Sequence, residues 1–326
     1  MASRTDPMGE RDRMALHAAQ RYYLQQVSTP ELAEELSVSR STVSRLIAHA
    51  RAMGWVHIEV RSPFGLLSAV EQQIQRRYGL AHVGSVASTT PADTLAAAAG
   101  AAATFLNGLV HDGMTVAVAW GTTTDAVSRA VQPRPLSGTT VVQLNGGGSV
   151  NDAGGSFAVD IIANLAKAWG ARGDVFPVPA FFDHAETREM LWRERSIRRL
   201  VDAQASADLA LFSVGAVRAD VPSQVHVGGH LSPNDLHRLH RAGVVGDIAT
   251  VFYRSNGSTT DIEMNSRASG LPLEELRKVK YRLCVAVGAG KAEALAAALA
   301  GGYVTHLLAD HELLAGVARI MDAGPV

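Results

Sequence analysis

The hydrophobic pattern changes character once along the chain. Over the first sixty residues the apolar positions recur at helical spacing in short segments. Residues 10 to 26 predict a helix, with Met14, Ala18 and Tyr22 marking successive turns. Thr29-Pro30-Glu31 predicts the start of a second. Threonine can cap, proline is tolerated at the first helical position, and the acid complements the positive helix end. Leu32, Ala33 and Leu36 give that short helix one apolar face, Ser37-Val38 makes a tight connection, and Ser39 caps a third helix reaching Ala52. In it Val43, Leu46 and Ile47 point inward, which leaves Ser39, Arg40, Ser41, Thr42, Ser44, Arg45 and His49 facing outward or toward the helix start. Gly54–Val60 then alternates like a strand, either a wing or a clasp on the small domain. Ser62-Pro63-Phe64-Gly65 punctuates, and Leu66–Tyr78 reads as a helix stopped by Gly79.

From about Ala81 the pattern becomes short apolar runs alternating with helical segments, which predicts parallel strands with crossover helices. The strands are expected at Val83–Val86, Thr115–Trp120, Thr140–Leu144, Val175–Val178, Leu209–Val214, Ile248–Tyr253, Leu283–Val287 and Val304–Leu308. The helices are expected at Pro91–Val110, Thr123–Val131, Phe157–Trp169, Glu186–Ala205, Pro233–Ala242, Leu273–Val279, Lys291–Ala300 and Asp310–Ile320. The expected fold class is α/β: an all-α helix-turn-helix domain over 1–61, a linker helix over 62–80, and a Rossmann-like, mostly parallel α/β domain over 81–326.

Charge sharpens the reading of the small domain. The formal net charge of the 326 residues is −1. Yet Ser37 to His57 carries Arg40, Arg45 and Arg51 with no acid, which points to a nucleic-acid contact confined to one element. A helix-turn-helix lays its second helix in the major groove, where small hydroxyl side chains allow close approach and arginine can pair with guanine or phosphate. An ordinary helical hairpin would leave the acid-free, hydroxyl-rich outer face unexplained. The string L-A-E-E-L-S-V-S-R-S-T-V-S-R matches the bacterial helix-turn-helix pattern, with Ser37 where glycine is usual. The N-terminus lacks the apolar segment of an export signal, and no apolar run is long enough for a membrane span. Both point to a cytoplasmic protein. The single cysteine, Cys284, lies in an apolar run and reads as a buried structural thiol.

Four strand ends in the large domain carry candidate chemistry, because ligands of open parallel sheets sit beyond the carboxyl ends of the strands. Trp120-Gly121-Thr122-Thr123-Thr124 joins glycine, hydroxyls and helix N-terminal amides, a combination that suits phosphate or simply caps a helix. Asn145-Gly146-Gly147 offers backbone amides to a ligand, or is a plain loop. Gly288-Ala289-Gly290-Lys291 places one of only four lysines at a helix start, although it is not the P-loop spacing. Asp247 meets an apolar strand, where it would accept sugar hydroxyls or cap a turn.

Together the helix-turn-helix string, Ala119-Trp120-Gly121-Thr122-Thr123, Gln143-Leu144-Asn145-Gly146-Gly147, Gly246-Asp247-Ile248 and the run from Leu273 to Asp310 resemble the SorC-type sugar-binding transcriptional regulators over nearly the full length. The resemblance implies an effector domain like that of sugar-phosphate isomerases and deaminases, kept for binding without turnover or cofactor. It implies a homodimer or homotetramer on double-stranded operator DNA that responds to a phosphorylated sugar or polyol. By the same resemblance Gly121 to Thr124 and Lys291 hold the phosphate and Asp247 the hydroxyls. Asn145 stands where an amine would form a Schiff base, so the effector binds reversibly here. The competing expectation is an active isomerase or deaminase with a DNA-binding head. Asp247, Glu263, His184 and His226 are its acid-base candidates, none in a motif that fixes a role. His237 and His240 lack a third ligand, and no metal site is expected.

Overall fold

The computed structural model describes residues 9–25, 27–56, 68–87, 90–147, 154–217, 225 and 229–323. The chain divides into two compact units, residues 1–66 and 67–326.

The small unit holds α1 (Glu10–Leu24), α2 (Thr29–Glu35) and α3 (Arg40–Ala52). Its core joins Ala15, Ala18 and Ala19 of α1 to Leu32, Val43, Leu46, Ile47 and Ala50. Alanine on α1 lets the helices approach closely, so three short helices bury a continuous apolar centre. Ser28, one residue earlier than the expected Thr29, caps α2, and the Glu31 carboxylate accepts its backbone N–H at 3.0 Å. Ser39 caps α3 by accepting the Thr42 N–H at 3.2 Å, as the sequence predicts. Ser37 takes φ 53°, the left-handed region that explains the glycine usual at this turn. His49 does not face outward: its Nε2 lies 2.7 Å from Asp12, tying α3 to α1. Of the expected strand Gly54–Val60, Gly54 to Val56 form none, and residues 57–60 lie outside the described residues.

The large unit begins with α4 (Ala69–Tyr78), three residues shorter than the expected Leu66–Tyr78, because Ser68 caps it in a box with Glu71. There follow β1 (His82–Val86), α5 (Pro91–Leu109), β2 (Thr115–Val118), α6 (Thr122–Ala130), β3 (Thr140–Gln143), α7 (Gly154–Trp169) and β4 (Arg172–Asp174). Next come α8 (Ala185–Trp192), α9 (Arg195–Ala205), β5 (Leu209–Phe212), β6 (Val214–Ala216), α10 (Pro233–Arg241), β7 (Val244–Ile248) and β8 (Val251–Arg254). The chain closes with α11 (Leu273–Leu276), β9 (Tyr281–Ala286), α12 (Ala292–Ala300), β10 (His306–Asp310) and α13 (His311–Asp322). Seven strands form one parallel sheet in the order β1-β10-β9-β5-β2-β3-β4. One face is covered by α5, α6 and α7 through residues such as Leu106, Val127 and Leu165. The other is covered by α4, α9, α12 and α13 through Ile74, Leu200, Leu295 and Leu314.

Four expected elements are corrected. The edge strand is Arg172–Asp174 rather than Val175–Val178, and it pairs with β3 from Arg172. The apolar residues after it, Phe176 and Val178, serve the core outside any strand. Glu186–Ala205 is two helices broken at Arg193-Glu194, and Leu273–Val279 is one short turn, α11. Ile248–Tyr253 is not one parallel strand. Ile248 ends β7, Val251 begins β8, and with β6 they make a separate antiparallel sheet in the order β6-β7-β8.

That hairpin is invisible to turn chemistry because its two-residue loop, Ala249-Thr250, lacks glycine although both residues have positive φ, 48° and 72°. Neighbouring chain holds it in place. The Gly270 N–H donates to Thr250 Oγ1 at 3.2 Å, and a Cβ on Gly270 would fall 1.9 Å from the Ala249 carbonyl oxygen. Gly270→Ala therefore displaces the turn and is expected to destabilise the large unit by about 1–3 kcal/mol. Thermal unfolding checks it: an unchanged midpoint would mean that the turn is not clasped there.

Candidate effector pocket and DNA-contacting helix

The winding of the parallel sheet sets the location. From β2 the chain steps outward through β3 to β4, whereas β5, on the other side of β2, leads outward to β9 and β10. The direction of winding reverses between β2 and β5. A crevice opens at such a switch point beyond the carboxyl ends of the strands. Adjacent strands are about 4.8 Å apart, so the ends of β9, β5, β2 and β3 together span roughly 14 Å.

At the end of β2, Gly121 caps α6 with φ 154° and ψ 166°, a region essentially reserved for glycine. The chain thereby turns directly from strand into helix. Among the described residues no side chain caps α6, so its first amides are not occupied by a capping group. Thr122 is exposed and Thr123 buried, while the buried Thr124 hydroxyl donates to the Gly121 carbonyl at 3.0 Å. Of the three hydroxyls grouped in the sequence, one is therefore engaged in holding the turn.

At the end of β3, Asn145 is 1% exposed, and its side-chain Oδ1 has no hydrogen-bond partner among the described residues. Its carbonyl accepts the Gln143 amide at 2.6 Å. A buried acceptor left unmade costs about 1–3 kcal/mol, and such orphans concentrate at functional sites. Gly146 is occupied structurally. Its N–H donates to Ser269 Oγ at 2.9 Å, its carbonyl accepts the Trp120 indole N–H at 2.7 Å, and a Cβ would lie 2.4 Å from the Val178 and Pro179 carbonyls. Gly147 is buried, and a Cβ there would crowd Ala158 at 3.1 Å. These glycines serve close packing.

At the end of β9 the chain makes a 3-10 turn, Ala289–Lys291, and Lys291 caps α12. Lys291 is half-buried. Burial pushes its ammonium pKa down, and the neighbouring Cys284, Asp247 and Asp310 pull it up. Asp310 also accepts the Gly288 N–H at 2.6 Å and caps α13 through the Leu313 N–H at 2.9 Å, so it fixes the β9 and β10 turns together. Asp247, 3% exposed, stands in β7 opposite Gly215 of β6. It accepts a long hydrogen bond, 3.4 Å, from the Thr250 N–H, so it steadies the hairpin turn while lying in the field of Lys291.

The structure thus brings the ends of β2, β3 and β9 to one sheet edge and sets Asp247 near Lys291. Of the acid-base candidates of the competing enzyme expectation it brings in Asp247 and leaves out His184 and Glu263. His184 is exposed at the start of α8, Glu263 is exposed and pairs with Arg238 at 2.6 Å, and His226 lies outside the described residues. His237 and His240 lie exposed on α10, and among the described residues no group of three His, Cys, Asp or Glu could hold a metal. Sequence reasoning missed Asp310 as a clamp, although an aspartate between an apolar strand and a helix is a recognisable cap signal.

In the small unit, Ser39, Arg40, Ser41, Ser44 and Arg45 of the α3 region are exposed. Thr42 is half-buried, its hydroxyl 2.9 Å from Ser39 Oγ and accepting from Arg45 Nη2 at 3.2 Å. The exposed face of α3 carries hydroxyls and guanidinium groups and no acid, while the neighbouring acids are engaged elsewhere: Glu35 with Arg21 at 2.8 Å, Asp12 with His49 at 2.7 Å.

An uncapped helix, an orphaned amide oxygen and a half-buried lysine at the switch point suit a ligand-binding domain, and the acid-free α3 suits a DNA contact. Residues 62–317 match the family model "Putative sugar-binding domain". The chain is 32% identical over 303 residues, 92% of its length and 96% of the relative's, to the deoxyribonucleoside regulator of Bacillus subtilis. It is 28% identical over 305 residues, 91% of its length and 92% of the relative's, to the transcriptional regulator LsrR of Escherichia coli. A domain of a possible sugar-binding transcriptional regulator from Arthrobacter aurescens superposes with a TM-score of 0.72 and 41% identity, covering 79% of this chain and 99% of that one. The full-length sorbitol operon regulator SorC of Klebsiella pneumoniae shares the fold, with a TM-score of 0.68 at 22% identity over 95% of this chain and 99% of its own. The chain belongs to the SorC-type family of sugar-binding transcriptional regulators. It is a regulator and not an isomerase or deaminase.

Cys284 completes the electrostatic picture. It is fully buried in β9, and burial pushes its thiol pKa up to about 12. A thiolate is the reactive form, so the native protein is expected to resist a disulfide reagent at pH 8 and to react stoichiometrically once unfolded. Rapid native labelling would show that the β9 region opens.

Proposed function

We propose that the effector is a phosphorylated sugar or polyol bound at the switch point, and that its binding modulates operator DNA binding by α3. The observation that carries the reading is the uncapped N-terminus of α6 on the same sheet edge as the half-buried Lys291 and the orphaned Asn145 oxygen. Helix-terminal amides and an ammonium suit a phosphate dianion. Asn145 and Asp247 supply acceptors for hydroxyls. With asparagine at position 145, no imine forms there and capture is reversible. Gly146 and Gly147 contribute by packing the loop that carries Asn145. The names of two relatives support the class: one is a deoxyribonucleoside regulator and one regulates a sorbitol operon.

On the DNA side, Ser39, Arg40, Ser41, Thr42, Ser44 and Arg45 form the reading surface, with Thr42 steadying Arg45 and the helix cap. A single helix-turn-helix contacts one half-site, so the working form is a homodimer or homotetramer on a palindromic operator. The division we propose is a DNA-binding domain over 1–61, a linker over 62–80 and an effector domain over 81–326. Among the described residues no helix is long and apolar enough to cross a membrane, and a DNA partner supports a cytoplasmic location.

Two substitutions test the halves separately. Replacing Arg40 or Arg45 with alanine is expected to weaken operator binding. A base contact costs about 1–3 kcal/mol and relaxes one position, while a phosphate contact weakens all sequences alike. Fluorescence anisotropy with operator and scrambled DNA distinguishes these, and undiminished binding by both variants would remove α3 from the interface. Lys291→Ala is expected to cost about 1.5–3 kcal/mol of effector binding, roughly tenfold or more, while operator binding persists without a response. Calorimetry with the sugar phosphate that most raises the melting temperature measures it. Equal affinities of variant and wild type would move Lys291 off the pocket.

A further inference from the structure

Resting on this reading of the pocket, we infer that Ser213 is a further effector-contacting residue, which takes a hydroxyl of the sugar between its phosphate end and Asp247. Four observations place it there.

Ser213 is the single residue between β5 and β6. At this point the chain leaves the parallel sheet and enters the antiparallel sheet that carries Asp247. Gly215, two residues on, pairs with Asp247 itself. In the parallel sheet, β5 lies between β2, whose end feeds α6, and β9, whose end leads to Lys291. Ser213 is therefore central to the three elements assigned to the ligand.

Side-chain direction agrees. Val118 of β2 is in register with Gln143 of β3 and Leu211 of β5. The next ladder bonds, Leu144 N–H to the Val118 carbonyl and Ala119 N–H to the Leu211 carbonyl, carry that register one residue further. Two residues on from the first set, Trp120, Asn145 and Ser213 stand at one level. By alternation they fall on the face of Val118, Val141 and Leu211, the face that α6 covers. Asn145 and Ser213 thus flank the strand from which the phosphate-binding turn springs.

The third observation is that the Ser213 hydroxyl oxygen is buried and has no hydrogen-bond partner among the described residues, as is true of Asn145 Oδ1. Two orphaned oxygens at one level of one sheet edge call for the same occupant. A serine hydroxyl both donates and accepts, and an amide oxygen only accepts. A ligand that offers hydroxyl donors to both satisfies them, and a polyhydroxylated sugar phosphate has that chemistry.

The fourth is that no other role explains the residue. Neither a cap nor a turn uses the Ser213 hydroxyl, whereas Ser28, Ser39, Ser68 and Ser269 all spend theirs on the fold.

The test is Ser213→Ala, compared with the wild type in thermal unfolding and in calorimetric titration. The probes are ribose 5-phosphate, 2-deoxyribose 5-phosphate, fructose 6-phosphate and sorbitol 6-phosphate. Because the hydroxyl has no partner, its removal is expected to leave the ligand-free melting temperature unchanged or slightly raised. Affinity for the best-binding probe is expected to fall about 3- to 10-fold, the loss of one hydrogen bond. Loss of affinity with unchanged ligand-free stability supports the assignment. Equal affinity for that probe overturns it and leaves the pocket reading standing. A clear drop in ligand-free stability also overturns it, because the hydroxyl would then be structural. If no probe binds the wild type, the pocket reading itself fails, and the inference with it.

Discussion

Every strand of the main sheet runs the same way, and this constraint organises the rest. Parallel strands cannot be joined by tight turns, so each needs a crossover, and the crossovers must cover both faces. The consequence is chemical as well as architectural: every strand-to-helix turn opens on the same edge. Gly121, Asn145, Ser213 and Lys291 are far apart in sequence and are gathered because each follows the carboxyl end of a strand. The reversal of winding between β2 and β5 then spreads the two halves apart and opens a crevice where these turns meet.

Charge within that crevice is held in tension. Lys291 is partly withdrawn from water, which disfavours its ammonium, while Asp247 and Asp310 favour it. Both carboxylates are themselves committed, Asp310 to the Gly288 and Leu313 amides and Asp247 to the hairpin turn. Their charges favour the ammonium while they hold the turns around it. In the proposed binding mode a phosphate beside the ammonium finds a donor already positioned, with little reorganisation to undertake. The antiparallel sheet supplies Asp247 only because a strained turn at Ala249-Thr250 is pinned by Gly270. Such locally costly geometry persists where the surroundings over-determine it, and here it holds the Asp247 carboxylate that we propose meets the effector hydroxyls.

Much of this was legible in the sequence, for identifiable reasons. Long alternations of apolar strand and amphipathic helix are strong signals, and they located six of the eight expected strands of the large domain together with the helices that follow them. The third helix and its Ser39 cap followed from local chemistry alone. What failed were features decided by tertiary contact. The β7–β8 hairpin carries no glycine in its turn, so Ile248–Tyr253 read as one strand. Phe176 and Val178 are apolar because they fill the core, and they drew the expected edge strand past its true position at Arg172–Asp174. His49 looked solvent-facing until its contact with Asp12 across two helices was visible. Ser213 has no motif at all. Its significance comes from register and from an unmet hydrogen bond, neither of which a single chain of letters records. Gly146 shows the converse: the sequence flagged it for amide exposure, and the fold uses it for a close approach to Val178 and Pro179.

The central claim is that the effector binds where the strand ends meet at the switch point. Hydrogen exchange of the full-length protein, with and without the sugar phosphate that most raises its melting temperature, tests it most directly. The account predicts slower exchange confined chiefly to residues 119–124, 144–147, 213–215, 245–250 and 288–292, which are dispersed in sequence and joined only by the sheet edge. Protection that spared these segments and appeared instead on the opposite edge, at the amino-terminal ends of the strands, would contradict it.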